Sequence, residues 1–285
     1  MMLKALARSL FPSLAFATLL AAAMPTSVRA DVLDTIKQRG QITVATEARF
    51  APFEYVENGK IVGFGSDLLA EIMTKLPGVH VEQLDLPWQG ILPGLIAGKF
   101  DLVATSVTVT KERAERYAFT VPFAEATVAL VVRKGGSVAK PEDIAGKVVG
   151  SQAGSGQLQA LRDYDARLKR EGGHGIGEIK EYVDFDQAYA DLGAGRIQAI
   201  AQSLPNLAPL VKQRGDVFAI VQPTIGPVTY FAWAGRKDAD SASLVRFFSD
   251  GLAELNRSGR MAELQRKWFG FTMDVPADKM PEPTM

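Results

Sequence analysis

Hydrophobic and polar positions follow two different periods along this chain, and the two periods alternate. Segments with apolar residues at every second position, or in a continuous run, predict strands at 41–46, 81–84, 100–104, 147–151, 179–183, 197–201 and 217–221. Segments with apolar residues at helical spacing predict helices at 31–39, 68–76, 88–97, 157–168, 185–192, 203–213, 241–257 and 259–268. Ser66 or Asp67 is the predicted cap of the second helix. Regular alternation of strands and helices predicts an α/β architecture with mostly parallel sheets.

The pattern changes around residues 126–132, where a continuous β-branched run, ATVALVV, is followed by the turn Lys134-Gly135-Gly136. A second series of strands and helices begins after this turn, and each series has enough apolar residues to bury a core of its own. Periodicity therefore predicts two α/β lobes, but it leaves open whether the last strand and helices return to the first lobe. The polar, Pro-rich residues 274–285 predict a loose tail.

The first thirty residues have the pattern of a secretory signal peptide. Lys4 and Arg8 provide a basic start, residues 10–23 are apolar but too few to span a bilayer, and small residues precede Asp31. We predict cleavage after Ala30 and a periplasmic protein. The alternative interpretation is a buried N-terminal helix.

Charge and composition exclude several classes of protein. The chain carries 32 basic and 32 acidic side chains, and removing the signal peptide takes away basic residues only. The slightly acidic remainder has no basic stripe for nucleic acid or anionic lipid. The sequence has no Cys and two His, His80 and His174, which lie far apart along the chain. We therefore predict no disulfide, no metal, no cofactor and no catalytic residues, and we expect a monomer.

Residues 105–123, TSVTVTKERAERYAFTVPF, are the most informative stretch. Small hydroxyl residues alternate with Val, which predicts an extended segment with hydroxyls on one face. A charged helical turn carrying Arg113 follows. A planar guanidinium beside hydroxyls and backbone amides can bind both oxygens of a small carboxylate. Considered alone, the stretch fits equally well a strand, loop and helix that carry a solvated charge cluster and bind no ligand.

Six segments together resemble the polar amino-acid-binding periplasmic proteins of ABC importers, solute-binding protein family 3. They occur in the family's order, over residues 31–270, and read ATEARFAPFEY, GKIVGFGSDLLAEIM, PWQGILPGLIAGKFDLVATSVTVTKERAERYAFTVPF, EDIAGKVVGSQAGSG, LGAGRIQAIAQS and LAELNRSGRMAELQRKWFG. The resemblance implies a two-lobe type 2 periplasmic binding protein fold with a ligand cleft and a two-segment hinge near 126–131 and 223–230. It implies a first lobe of residues 31–126 and 229–285, a second lobe of 127–228, and lobe closure on the ligand.

The resemblance also implies a set of ligand-binding residues. Arg113 matches the family's carboxylate-binding Arg, and Glu47 matches an acidic position that meets a basic ligand side chain in some members. Phe50 and Trp88 match the walls of the site, and their alternative role is ordinary core packing. The remaining matches supply hydroxyl and backbone contacts: Ser106, Thr108, Ser155 and Gly156, the last two at a helix start suited to anions.

One position departs from the family pattern. The family has an Asp for the ligand's α-ammonium where this chain has Ser203, and Gln198 replaces another common acidic residue. A buried ammonium without a counter-charge is costly. Either another carboxylate, with Glu47 the nearest candidate, reaches the ammonium, or the ligand lacks a free ammonium and Ser203 offers a neutral hydrogen bond.

The sequence therefore predicts the substrate-binding component of an ABC importer, with a small amino acid or carboxylate ligand and an inner-membrane permease as its partners. Two alternatives stay open. One is an enzyme similar to the cyclohexadienyl dehydratases that share the scaffold, and the other is a ligand sensor for a membrane receptor.

Overall fold

The structure is a computed structural model that describes residues 31–285, so the predicted signal peptide lies outside the described residues. Its α-helices are α1 (Val32–Arg39), α2 (Phe64–Met73), α3 (Trp88–Ile96), α4 (Lys111–Arg116), α5 (Gly156–Arg170), α6 (Phe185–Gly193), α7 (Leu204–Gln213), α8 (Ala242–Arg257) and α9 (Arg260–Phe269). Its strands are β1 (Gln41–Thr46), β2 (Arg49–Phe50), β3 (Glu54–Glu57), β4 (Lys60–Val62), β5 (His80–Asp85), β6 (Leu102–Thr108), β7 (Tyr117–Phe119), β8 (Ala124–Glu125), β9 (Val128–Arg133), β10 (Val148–Gln152), β11 (Glu178–Tyr182), β12 (Ala199–Ser203), β13 (Phe218–Val221) and β14 (Tyr230–Arg236). Within residues 31–285, no helix combines the length and the apolar character needed to cross a membrane.

The first sheet has the strand order β5-β1-β6-β14-β7, with β8 also paired to β14. β1 runs parallel to both β5 and β6, and β14 runs antiparallel to β6. The last strand therefore returns to the first sheet, which answers the question that periodicity left open.

The second sheet has the order β11-β10-β12-β9-β13. β10 runs parallel to β11 and β12, while β9 is antiparallel to β12 and β13. The chain passes from the first sheet to the second between Glu125 and Val128, and it returns between Val221 and Tyr230. The predicted arrangement of two α/β lobes is confirmed.

Aromatic side chains form much of the shared core. Phe53 and Trp233 are fully buried, and Phe53 packs edge-on against Phe231 with ring centroids 5.1 Å apart. Phe50 of the first lobe contacts Phe185 of the second lobe at 5.9 Å. One apolar cluster thus continues from lobe to lobe below the cleft.

A three-stranded antiparallel sheet of β2, β3 and β4 follows β1, and it was not predicted from the sequence. Asn58 and Gly59 connect β3 to β4 with positive φ angles of 51° and 75°. An Asn-Gly pair favours this tight hairpin turn because both residues tolerate positive φ.

The predicted start of α2 at Ser66 or Asp67 is wrong. The helix begins at Phe64, directly after Gly63, whose φ is 128°. The N–H of Phe64 donates to the carbonyl of Pro52, and the N–H of Gly65 donates to that of Phe53, both at 3.0 Å. Tertiary hydrogen bonds therefore satisfy the first turn, and a capping side chain is not needed.

The prediction of a loose tail is also wrong. Residues 274–285 have no regular secondary structure, but Asn256 donates a 2.8 Å hydrogen bond to the carbonyl of Val275. The Thr284 hydroxyl donates to the carbonyl of Val228, and the N–H of Lys111 donates to the carbonyl of Met285. Composition did not predict this, because the tail's partners lie in distant segments.

Candidate functional site

The carboxyl ends of β1, β6 and β10 face one another across the cleft between the lobes, the usual position of ligand sites in open α/β sheets. A small cavity there, called the cleft cavity below, is lined by Glu47, Phe50, Trp88, Ser106, Thr108, Gln152, Ser155, Gly156 and Gln157. The structure therefore brings together all the predicted ligand-binding residues except Arg113 and Ser203, which lie beside the cavity. The cavity measures about 10 Å³, which leaves room for about one water molecule.

The lobes are in contact across this cavity. Gln89 donates a 3.0 Å hydrogen bond to the carbonyl of Val183, and Asn206 donates a 2.9 Å bond to the carbonyl of Ala51. Each bond joins one lobe to the other. The structure is therefore a closed arrangement of the two lobes.

Phe50 and Trp88 both line the cleft cavity and also belong to apolar clusters. Phe50 is 5% exposed and packs against Phe53, Phe185 and Phe231. Trp88, at the first position of α3, is 7% exposed and belongs to a separate apolar cluster of the first lobe. Both residues therefore contribute to core packing, and their role as walls of a ligand site stays a prediction.

Arg113 lies where the two lobes meet at the edge of the cavity. Its guanidinium stands 5.2 Å from the centre of the Trp88 ring. It donates a 2.8 Å hydrogen bond to the carbonyl of Thr108 and a 2.9 Å bond to the carbonyl of Gly154 in the second lobe. Loss of water around the group lowers the pKa of Arg113 to about 10, which still leaves it charged at neutral pH. Arg113 therefore supplies a positive charge to the start of α5.

Glu47 is a buried acid that the second lobe meets with an amide. Nε2 of Gln152 donates a hydrogen bond to Oε1 of Glu47. Burial raises the pKa of Glu47 to about 7, although the hydrogen bond from Gln152 acts in the opposite direction. The carboxyl group is therefore close to half-ionised at neutral pH, and a positive charge beside it would favour the ionised form.

A second buried acid, Glu54, lies behind the cavity wall. The hydroxyls of Thr105 and Ser106 donate to its Oε2 at 3.2 and 3.3 Å, while Oε1 has no hydrogen-bond partner among the described residues. Burial raises the pKa of Glu54 to about 8. Because Ser106 lines the cavity, Glu54 fixes the direction of one of the cavity's hydroxyls.

Ser203 reaches the cavity only through Gln157. Ser203 is fully buried, and its hydroxyl donates to the carbonyl of Ala126 at 3.3 Å. The same oxygen accepts a 2.7 Å hydrogen bond from Nε2 of Gln157. Since the hydroxyl proton is directed to Ala126, the amide nitrogen of Gln157 must face Ser203, and its Oε1 remains as a neutral acceptor for the cavity.

The start of α5 closes the remaining side. Ser155 is the N-cap, and its hydroxyl accepts a 3.0 Å hydrogen bond from the N–H of Leu158. Gly156 fits tightly against the first lobe, since a Cβ there would lie 2.6 Å from Cβ of Thr108. The first-turn amides of this helix thus lie at the cavity edge, where they favour a negative group.

Gln152 and Gln157 were not predicted from the sequence, although both line the cavity. Gln152 is the last residue of β10 and is buried, and Gln157 lies in the first turn of α5. A polar residue at the carboxyl end of a predicted parallel strand was the signal that could have identified Gln152.

The donor set of this site suits an organic ion better than a metal. Among residues 31–285, no group of three or more His, Asp or Glu side chains is placed to hold a metal ion. The cavity offers one cationic edge, one titratable acid, two aromatic walls and several neutral hydrogen-bonding groups. This arrangement can bind a small carboxylate that also carries a hydrogen-bond donor.

Comparison with known proteins gives consistent matches. The family described as bacterial extracellular solute-binding proteins, family 3, matches residues 42–271. The L-cystine-binding protein TcyJ of Escherichia coli (strain K12) is 29% identical over 242 residues, 84% of this chain and 86% of that protein.

Two solved structures are also similar to this chain. An ancestral arginine-binding protein bound to glutamine has a TM-score of 0.70 and 35% identity, covering 81% of this chain and 99% of that chain. The ancestral amino-acid-binding protein AncCDT-1, described as a precursor of cyclohexadienyl dehydratase, has a TM-score of 0.72 and 28% identity, covering 84% and 100%. The predicted type 2 periplasmic binding protein fold is confirmed.

Proposed function

This chain belongs to family 3 of the bacterial extracellular solute-binding proteins, and from that membership we propose that it captures an amino acid or related small carboxylate between its lobes for a membrane ABC permease. Relatives in the family are amino-acid-binding periplasmic components of ABC transporters. The proposal also includes an inner-membrane permease as the partner and a monomeric protein. It places the mature protein, cleaved after Ala30, in the periplasm.

The observation that carries the proposal is the position of Arg113. Its guanidinium lies against Trp88 and donates to the carbonyl of Gly154, next to the start of α5. Opening the lobes breaks this bond and frees an N–H for an incoming carboxylate. On closure, the carboxylate would be held between Arg113 and the first-turn amides of α5, so that both lobes bind the same group.

The ligand's amino group would lie nearer the acidic side of the cavity. Glu47 can supply a negative charge, and Oε1 of Gln157 can supply a neutral acceptor. The hydrogen bond from Gln152 to Glu47 would break to admit the ammonium, since the closed cavity holds about one water molecule. This arrangement replaces the Asp that the family usually has where this chain has Ser203.

A thermal-shift screen tests the proposal. Amino acids, N-substituted amino acids and small carboxylates are added to the mature protein one at a time, and hits are confirmed by calorimetry. A ligand at about 1,000 times its dissociation constant stabilises the folded state by about 4 kcal/mol. If no compound raises the melting temperature, a binding function of this kind is contradicted.

A second candidate function, dehydration of a cyclohexadienyl acid, is favoured by a buried carboxyl group that lines the cavity, Glu47. Burial raises the pKa of Glu47 to about 7, so this group can hold a proton near neutral pH as a general acid must. The structural likeness to AncCDT-1 is consistent with this scaffold lying close to such enzymes. Incubation with prephenate or arogenate, followed by absorbance of the aromatic product, tests this function.

A further inference from the structure

A second and larger pocket, called the side pocket below, lies on the other side of Phe50 from the cleft cavity. Its volume is about 350 Å³, within the usual range for small-molecule sites. Residues 49–52 of the first lobe form its roof, and α6 and α7 of the second lobe form its floor. Phe50 lines both spaces.

Aromatic side chains form one wall of the side pocket. Phe50 and Phe185 meet there with ring centroids 5.9 Å apart, and Phe185 packs against Tyr189 at 6.3 Å. Pro209 and Leu210 of α7 complete the floor. These walls can bury the body of a small aromatic or branched ligand without new ordering of flexible side chains.

Charge is distributed unevenly around this pocket. Arg49 and Asp186 also line the pocket, both are exposed, and Arg49 is paired with Asp85 at 3.7 Å. Arg214 lines the outer end, at the C-cap of α7. Arg214 stacks 4.9 Å from the Phe218 ring, and it has no ion pair within the part of the chain that the structure describes. The outer end of the pocket therefore offers a cation without a counter-ion.

One polar side chain of the pocket, that of Asn206, connects the two lobes. Nδ2 of Asn206 donates to the carbonyl of Ala51, so Oδ1 of Asn206 stays buried without a partner among residues 31–285. Asn206 and Arg214 are about 12 Å apart along α7, from a rise of 1.5 Å per residue. The pocket is thus long enough for a ligand with an apolar body and a separate charged end.

We propose that the side pocket is a second ligand site, and that it takes a small amphipathic carboxylate whose apolar body lies between α6 and α7 while its anionic group contacts Arg214. Because the roof belongs to one lobe and the floor to the other, the site is complete only when the lobes are closed. Occupancy therefore favours closure, and by reciprocity it strengthens binding in the cleft cavity. This coupling, but not the site itself, rests on the proposed function.

The test measures binding of 3-phenylpropionate by calorimetry and by NMR, with 3-phenylpropylamine as a probe of equal shape and opposite charge. The wild-type protein should bind the carboxylate saturably and the amine at least tenfold more weakly. The Arg214→Gln variant should weaken binding of the carboxylate by about tenfold or more, the usual size of a charge-assisted hydrogen bond. The Ala190→Phe variant fills the pocket from an exposed position of α6 and should abolish binding.

Arg167→Gln is the matched control, since Arg167 also stacks on an aromatic ring, 4.5 Å from the centre of Tyr164, but lines a different pocket. It should leave binding unchanged. Arg113→Ala should remove binding in the cleft cavity and keep saturable binding of 3-phenylpropionate, which separates this proposal from the proposed function. Absence of saturable binding, or loss of binding in Arg113→Ala but not in Ala190→Phe, would overturn the second site.

Discussion

Gln152 of the second lobe donates the amide hydrogen bond that Glu47 of the first lobe accepts inside the closed cleft. The same amide also donates to the carbonyl of Val183 at 3.1 Å, so its orientation is fixed from within the second lobe. The two lobes thus close on one buried acid and one neutral amide. A ligand with an amino group can take the place of that amide and provide the charge that the second lobe lacks.

We predict that Glu47→Gln selectively weakens ligands with a free ammonium. The variant keeps the size and a hydrogen-bonding group of the side chain but removes the negative charge. Binding of an amino acid found in the screen should fall by about tenfold or more, because loss of a buried charge partner costs well over 1 kcal/mol. Binding of the same compound without its α-amino group should change little. Calorimetry at pH 8 measures both affinities.

Glu57→Gln, an exposed carboxyl on β3, is the control for the change in net charge, and it should alter neither affinity. Equal weakening of both ligands by Glu47→Gln would show that Glu47 does not contact the ammonium. In that case the ligand's amino group is absent or lies against Gln157.

We predict that Arg113→Ala reduces ligand affinity by at least a hundredfold, because the carboxylate loses a charged donor in a site with little water. The measurement is a calorimetric titration with the ligand from the screen. Arg116→Ala is the matched control on the same helix, since Arg116 is exposed and stacks 5.8 Å from the Tyr117 ring, away from the cavity. Retained affinity in Arg113→Ala would contradict the assigned role of this guanidinium.

The two-lobe α/β fold could be predicted from the sequence, because strand and helix periods alternate clearly. The return of β14 to the first sheet could not be derived from periodicity, since strand order depends on pairings between distant segments. The hairpin of β3 and β4 was missed although Asn58-Gly59 indicates it. The strands are short and partly exposed, so their apolar pattern is weak.

The candidate site could be predicted in part, where a residue's position in the fold follows from the strand and helix pattern. Glu47, Trp88 and Gly156 stand at strand ends or helix starts, where motif and topology agree. We predicted that Ser203 contacts the ligand. Ser203 is a fully buried strand residue, however, and the Gln157 amide connects it to the cavity. Such relayed contacts depend on side-chain directions across two elements, and a single sequence does not contain that information.

We predict that Gly156→Ala weakens ligand binding by disfavouring lobe closure. An added Cβ would lie 2.6 Å from Cβ and 2.7 Å from Oγ1 of Thr108 in the opposite lobe. Overpacking of this kind costs about 1–3 kcal/mol, so affinity should fall by between about fivefold and about a hundredfold. Calorimetry measures the affinity, and small-angle scattering measures whether the ligand still makes the protein more compact.

Gly90→Ala is the control for an added methyl group on a helix, since a Cβ there meets no atom within 4 Å. It should leave both readouts unchanged. Unaltered affinity in Gly156→Ala would mean that the ligand is held without this close approach of the lobes.

We predict that Glu54→Gln makes the protein less sensitive to alkaline pH. Burial raises the pKa of Glu54 from 4.5 to about 8, so the folded state keeps a proton that the unfolded state releases in this range. The resulting stabilisation is complete below about pH 4.5 and is lost as the pH rises through 8. Gln cannot titrate, so from pH 5 to pH 8.5 the free energy of unfolding should change in favour of the variant by up to about 4 kcal/mol. Urea unfolding at several pH values measures this difference, in which the titration of Glu47 largely cancels. Parallel stability curves for the two proteins would show that Glu54 is ionised throughout the range.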